Sequence, residues 1–129
     1  MTPEFLRSLI AKGEALEVEF KGEEKAPLSD RDLVEAVTCL ANRAEGSPGY
    51  LLVGVEDDGR ITGARLRHGS TREPAKVAAL VAGRTRPALS VAVSLVPLGS
   101  ASVLVIEVPV PRQPVSTSDG VFPRRTIGG

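Results

Sequence analysis

Three carboxylates and a lysine hold the strongest chemical prospect in this chain. Glu14 precedes a segment in which Leu16, Val18 and Phe20 alternate with Glu17, Glu19 and Lys21. That period of two describes a half-buried strand whose other face carries Glu19 and Lys21. Asp57 follows the apolar run Tyr50-Leu51-Leu52-Val53-Gly54-Val55. If the two segments are neighbouring strands, the carboxylates of Glu14, Glu19 and Asp57 converge. Such a group suits Mg²⁺ or Mn²⁺, hard ions that take oxygen ligands and bridge to phosphate. Lys21 would then stabilise charge on the phosphate. The plainer alternative is an acidic strand face turned to water.

A second group is basic. Arg60, Arg65, Arg67, Arg72, Arg84 and Arg86 lie in the second half of the chain, with Arg124-Arg125 near its end. Residues 1–59 hold 13 acids and 6 bases, a balance of −7, whereas residues 60–129 hold 3 acids and 10 bases, a balance of +7. A split of this kind points to a charged partner or to self-association of opposite lobes. If the 57–60 turn and the C-terminal segment share an edge, Lys21, Arg60, Arg65, Arg67, Arg124 and Arg125 would line phosphate oxygens. The alternative is a set of solvated arginines. A net charge of zero and 3% aromatic content argue against tight non-specific binding and against stacking-based capture of single strands.

Several function classes drop out. No Gly-x-x-x-x-Gly-Lys-Ser/Thr loop is present to cradle a nucleotide's phosphates, and Gly54, Gly59 and Gly63 do not form a dinucleotide fingerprint. His68, the single histidine, sits in an Arg-rich loop with no nucleophile beside it, so a catalytic triad is not expected. Cys39, the single cysteine, excludes an internal disulfide and reads as a small buried residue. No tightly bound organic cofactor is expected. No apolar run reaches membrane-spanning length and the N-terminus lacks a signal-peptide pattern, so the expected compartment is the cytoplasm, with no membrane partner.

The 129 residues, 42% hydrophobic and 25% charged, suit one globular domain. With no Trp and one Tyr, its core must be built from Val, Leu, Ile and Ala. Thr2, Pro3 and Gly13 bracket a helix over 3–12. After the 16–21 strand and a polar loop over 22–29, Ser29 or Asp30 caps a helix to about Arg43, where Asn42 either caps the end or contacts a ligand. The unbroken apolar run at 50–55 predicts a central strand covered on both faces. Asp57-Asp58-Gly59 signals a hairpin turn returning through Arg60–Gly63. A helix over 73–85 follows, then strands at 89–96 and 102–108 joined through Leu98-Gly99-Ser100. Pro109, Pro111 and Pro114 impose a rigid exit from the sheet, and Val121-Phe122 is a candidate last strand. The expected fold is α/β (α+β): one mixed sheet with about three helices packed on it.

In combination, these segments resemble the Schlafen AlbA-type family, the second Alba-like domain, described as DNA-binding. The residues that carry the resemblance are Glu14, Glu19-Phe20-Lys21, Ala41-Asn42, Gly54-Val55-Glu56-Asp57-Asp58-Gly59, Gly63, Val108-Pro109 and, more loosely, Phe122-Pro123-Arg124. They run in the family's order over about residues 12–126. Two features depart from its pattern: Arg43–Gly49 replaces a short Gly-Gly turn, and Glu56 stands where the family has Asp. The resemblance implies a single Schlafen AlbA-like domain over 1–129, a fragment of a longer protein or a minimal member. It also implies contact with DNA, as in bacterial relatives labelled transcriptional regulators. Schlafen proteins that cut RNA suggest another activity, with Glu14, Glu19 and Asp57 as metal-holding acids of a divalent-metal-dependent ribonuclease. A protein-interaction module is the third reading.

Overall fold

A computed structural model describes residues 1–43, 46–65 and 73–120. In chain order it contains α1 (Pro3–Lys12), β1 (Val18–Lys21), α2 (Asp30–Ala41), β2 (Gly49–Val53), α3 (Pro74–Gly83), β3 (Thr85–Arg86), β4 (Ala92–Leu98), β5 (Ala101–Val108) and β6 (Ser116–Thr117). The main sheet has the order β1-β2-β5-β4, and β3 and β6 form a separate two-stranded ribbon. β1 and β2 are parallel, with Glu19 beside Leu51 and Lys21 beside Val53. Parallel neighbours need a long crossover, and α2 supplies it. The other pairings in the main sheet are antiparallel. The mixed α+β architecture expected from the sequence is thus present.

The helix ends follow local chemistry. Thr2 Oγ1 accepts the Phe5 N–H at 3.1 Å, and Ser29 Oγ accepts the Asp32 N–H at 3.1 Å. These hydroxyls satisfy N–H groups that have no partner within the first helical turn. Asp30 and Asp32 also place negative charge where the α2 dipole favours it.

Both faces of the main sheet are covered. Leu6 and Leu9 of α1 pack with Val18, Phe20, Leu52, Val103 and Val105 on one side. Leu33, Val37 and Leu40 of α2 and Val77 and Val81 of α3 pack with Leu51, Val53, Leu104 and Ile106 on the other. Alternate side chains of β2 therefore enter different cores, which is why its sequence is apolar without a break. Glu19 and Lys21 project toward the α2 side, opposite Val18 and Phe20, so the charged face of β1 is the half-buried margin of a second core.

Three expected details differ. Residues 60–63 make no strand; a single bridge joins Val55 to Ile61, because Gly54 and Gly63 both hold positive φ and turn the chain. The strand expected at 89–96 runs instead over Ala92–Leu98, extending to the Gly99-Ser100 turn. The β3–β6 ribbon is an addition to the expected elements. The candidate strand at Val121-Phe122 lies outside the described residues.

Candidate nucleic-acid interface

The parallel strands β1 and β2 end together, and the loops that leave their carboxyl ends enclose an open cleft of about 510 Å³. Its lining comes from Lys21, Gly22, Glu24, Lys25 and Ala26 on the first loop, and from Glu56, Asp57, Asp58 and Arg60 on the second. Ligands of α/β sheets gather at such carboxyl ends, where diverging loops leave a crevice. The two loops meet at Gly22: a Cβ there would lie 2.1 Å from a Glu56 carboxylate oxygen. Glu56 is held in turn by the Thr62 hydroxyl, which donates to Oε2 at 2.6 Å.

Below the cleft, a residue that spacing and periodicity do not single out fastens the loops. Glu23 is only 1% exposed. Its Oε2 accepts the Leu28 N–H at 2.6 Å and its Oε1 accepts the Arg65 N–H at 2.7 Å. One carboxylate thus ties the 22–29 loop to the segment after Gly63. In the sequence Glu23 is one acid among several in a polar loop, and nothing local marks it as buried. Glu23→Gln turns one acceptor oxygen into an NH₂ facing a backbone N–H. We expect it to lower stability by about 1–3 kcal/mol, read as a reduced urea midpoint with an unchanged slope.

The acids singled out in the sequence are spread around this region rather than gathered. Glu14 Oε1 accepts the Phe20 N–H at 2.9 Å, on the outer edge of β1. Glu19 pairs with Lys21 at 3.4 Å on the α2 side. Asp57 stands exposed on the second loop and lines the cleft. Among the described residues no group of three or more His, Cys, Asp or Glu could hold a metal ion. As placed, these carboxylates do not make up an Mg²⁺ or Mn²⁺ centre.

The basic candidates divide in a similar way. Arg60 Nε donates to Asp58 Oδ2 at 2.8 Å and its Nη1 reaches Glu24 at 3.1 Å. This contact, together with a backbone bond from Arg60, lowers the Asp58 pKa below its ordinary 3.8, while Asp58 and then Glu24 raise that of Arg60. A carboxyl whose pKa is lowered by folding contributes stability above the ordinary carboxylate range and loses it as pH falls through the lowered value. Both groups are exposed, so solvent keeps that contribution small. Arg65 donates from Nε to the Glu23 carbonyl at 2.6 Å and from Nη2 to the Glu24 carbonyl at 2.7 Å, which fixes the loop from outside. Lys25 lines the cleft with no ion pair among the described residues. Arg67, Arg72, Arg124, Arg125 and His68 lie outside the described residues.

Asn42 also has a role beyond capping α2. Its Nδ2 donates to the Val115 carbonyl at 2.8 Å, and its Oδ1 accepts the Val115 N–H at 2.8 Å. The side-chain amide copies a strand pairing and anchors the proline-rich segment beside β6. Cys39 is half-buried in α2.

Two parallel strands opening into a charged cleft, on a four-stranded mixed sheet covered by helices on both faces, define a small α+β domain. The chain belongs to the Schlafen, AlbA_2 family, whose model matches residues 14–128. No curated protein matches its sequence. Among solved structures, the DIP2311 protein from Corynebacterium diphtheriae is similar with a TM-score of 0.69 and 22% identity, over 94% of this chain and 27% of that one. This chain thus spans about a quarter of that protein. The N-terminal domain of a RecG-related protein from Nitrosomonas europaea is similar with a TM-score of 0.62 and 22% identity, over 100% of this chain and 92% of that one. At such identities the likeness concerns the fold. No helix of the described residues is long and apolar enough to cross a membrane.

Proposed function

We propose that this domain binds nucleic acid, DNA in preference to RNA, through the cleft at the carboxyl ends of β1 and β2. The observation that carries this reading is the placement of Lys21, Lys25 and Arg60 around one open crevice, with Lys25 unengaged by any acid described. Family membership supports it, as does the name of the Nitrosomonas relative, which relates that protein to an ATP-dependent DNA helicase. Lysines there serve as point charges for backbone phosphates, which position a duplex without reading its bases. Glu24, Glu56, Asp57 and Asp58 line the same crevice and oppose a polyanion, so binding is modest and strongly weakened by salt. Service within a transcriptional regulator is the broader role this reading suggests.

The test is fluorescence anisotropy with short duplex DNA, single-stranded DNA and RNA over a salt series. Lys21→Gln with Lys25→Gln should weaken duplex binding and flatten the slope of log K against log salt by about 0.9 for each phosphate that is no longer neutralised. Failure of the wild type to bind any of the three at low salt, or unchanged binding by the double variant, would sink the proposal. The hydrolytic alternative has one favouring observation: Asp57 and Lys21 line the same cleft. RNA cleavage that requires Mg²⁺ or Mn²⁺ and disappears in Asp57→Asn would put that reading in place of simple binding.

A further inference from the structure

The two edges of the main sheet are built differently. On β1 the outward N–H of Val18 bonds to the Ala15 carbonyl at 3.3 Å, and that of Phe20 bonds to the Glu14 carboxylate at 2.9 Å. A second strand arriving there finds those donors taken. Among the described residues, β4 has no comparable cover. Pro97 stands opposite Ser102, whose carbonyl accepts the Ala64 N–H at 2.8 Å on the side away from β4. The alternation of an antiparallel ladder then turns the backbone groups of Val93 and Leu95 outward, as it does the nitrogen of Pro97. No described residue bonds those two N–H groups. Proline falls where its missing donor costs no ladder bond.

Charge does not guard this edge either. From Pro87 to Ile106 the chain carries no charged residue, whereas exposed edges are ordinarily blunted by lysine or by inward-pointing charge. We propose that β4 is the interface of a two-fold dimer, in which β4 of one copy pairs antiparallel with β4 of another, centred on Ser94. In that register Val93 faces Leu95 of the other copy and Leu95 faces Val93, each pair exchanging both N–H···O bonds. Ser94 faces Ser94 at the axis. In a register shifted toward the Gly99-Ser100 turn, Val93 meets Pro97 and that pair makes one bond instead of two. The edge matches itself, as a two-fold interface requires. It has no charge with which to select a foreign segment, and the chain's zero net charge lets two copies approach without net repulsion.

The inference is independent of the nucleic-acid cleft. Sedimentation equilibrium of the full chain from micromolar to near-millimolar concentration should show the mass rising from one chain to two, with amide exchange at Val93 and Leu95 slowing in parallel. Ser94→Lys sets like charges opposite each other at the axis and should remain monomeric. Mixing it with Ser94→Glu should restore the dimer. A wild type of single-chain mass throughout, exchange at Val93 and Leu95 that ignores concentration, or a Ser94→Lys variant that dimerises like wild type would each overturn the proposal. Should both Ser94 variants fail to fold, amide exchange in the wild type decides alone.

Discussion

Val53→Asp leaves a chain with no cooperative unfolding transition at room temperature. Val53 is completely buried in β2, between Lys21 of β1 and Leu104 of β5, and packs with Leu33 and Val37 of α2. An aspartate there must either keep its charge at a fully buried position, where the one cation beside it, Lys21, is already paired with Glu19, or take up a proton and still leave hydroxyl and carbonyl unsatisfied. The effective cost of burying an unpaired charge is several kcal/mol, a large share of the roughly 5–15 kcal/mol that holds a domain together. Far-UV circular dichroism during a urea titration is the measurement. Val53→Ala, which removes only carbon, should keep a sharp transition lowered by about 2 kcal/mol. Wild-type melting by the aspartate variant would show that β2 is not central.

Gly54→Ala should be nearly as damaging, although it adds a single methyl group. Gly54 has φ of +106°, and a Cβ built on it would lie 2.5 Å from the Ala64 nitrogen and 2.6 Å from the Gly63 carbonyl carbon. Those atoms are backbone, so no side chain can swing aside. The Gly54 carbonyl also accepts the N–H groups of Thr62 at 3.0 Å and Gly63 at 2.9 Å, bonds that would be disturbed together. Strain and displacement sum to on the order of 3 kcal/mol or more. Gly59→Ala is the control: its φ is +89°, but nothing lies within 4 Å of the added carbon. It should cost only the left-handed backbone penalty of about 1–2 kcal/mol. Equal losses in the two urea curves would remove close approach as the reason for glycine at 54.

The elements that could be read from the chain are those specified by near neighbours. Thr2 and Ser29 sit three residues from the amides they cap, and the two cores of β2 show as an unbroken apolar run. Residues whose partners are distant in sequence left no such trace. Glu23 acquires its meaning from Arg65, 42 positions away, and Asn42 from Val115, 73 positions away. The β3–β6 ribbon pairs two residues with two, too few for any periodicity to register. Among the candidate site residues, spacing brought Lys21, Asp57 and Arg60 to one cleft. It could not reveal that Arg60 meets Asp58 and Glu24, or that the Glu14 carboxylate closes a strand edge, because both depend on how the loops fold back.

The Asn42–Val115 joint has a consequence for the order in which this domain assembles. Bringing these residues together closes a loop that contains β2, α3, β3, β4 and β5. Loop-closure entropy rises with length, so a pairing this distant forms at least cost after the intervening hairpin has shortened the path. β4 and β5, joined through Gly99-Ser100, make the most local of the sheet pairings and can zip first. The amide joint then latches the proline-rich segment onto α2 and brings β6 to β3. On the return path the same joint is the natural place for opening to start, releasing the small ribbon while the four-stranded sheet stays intact.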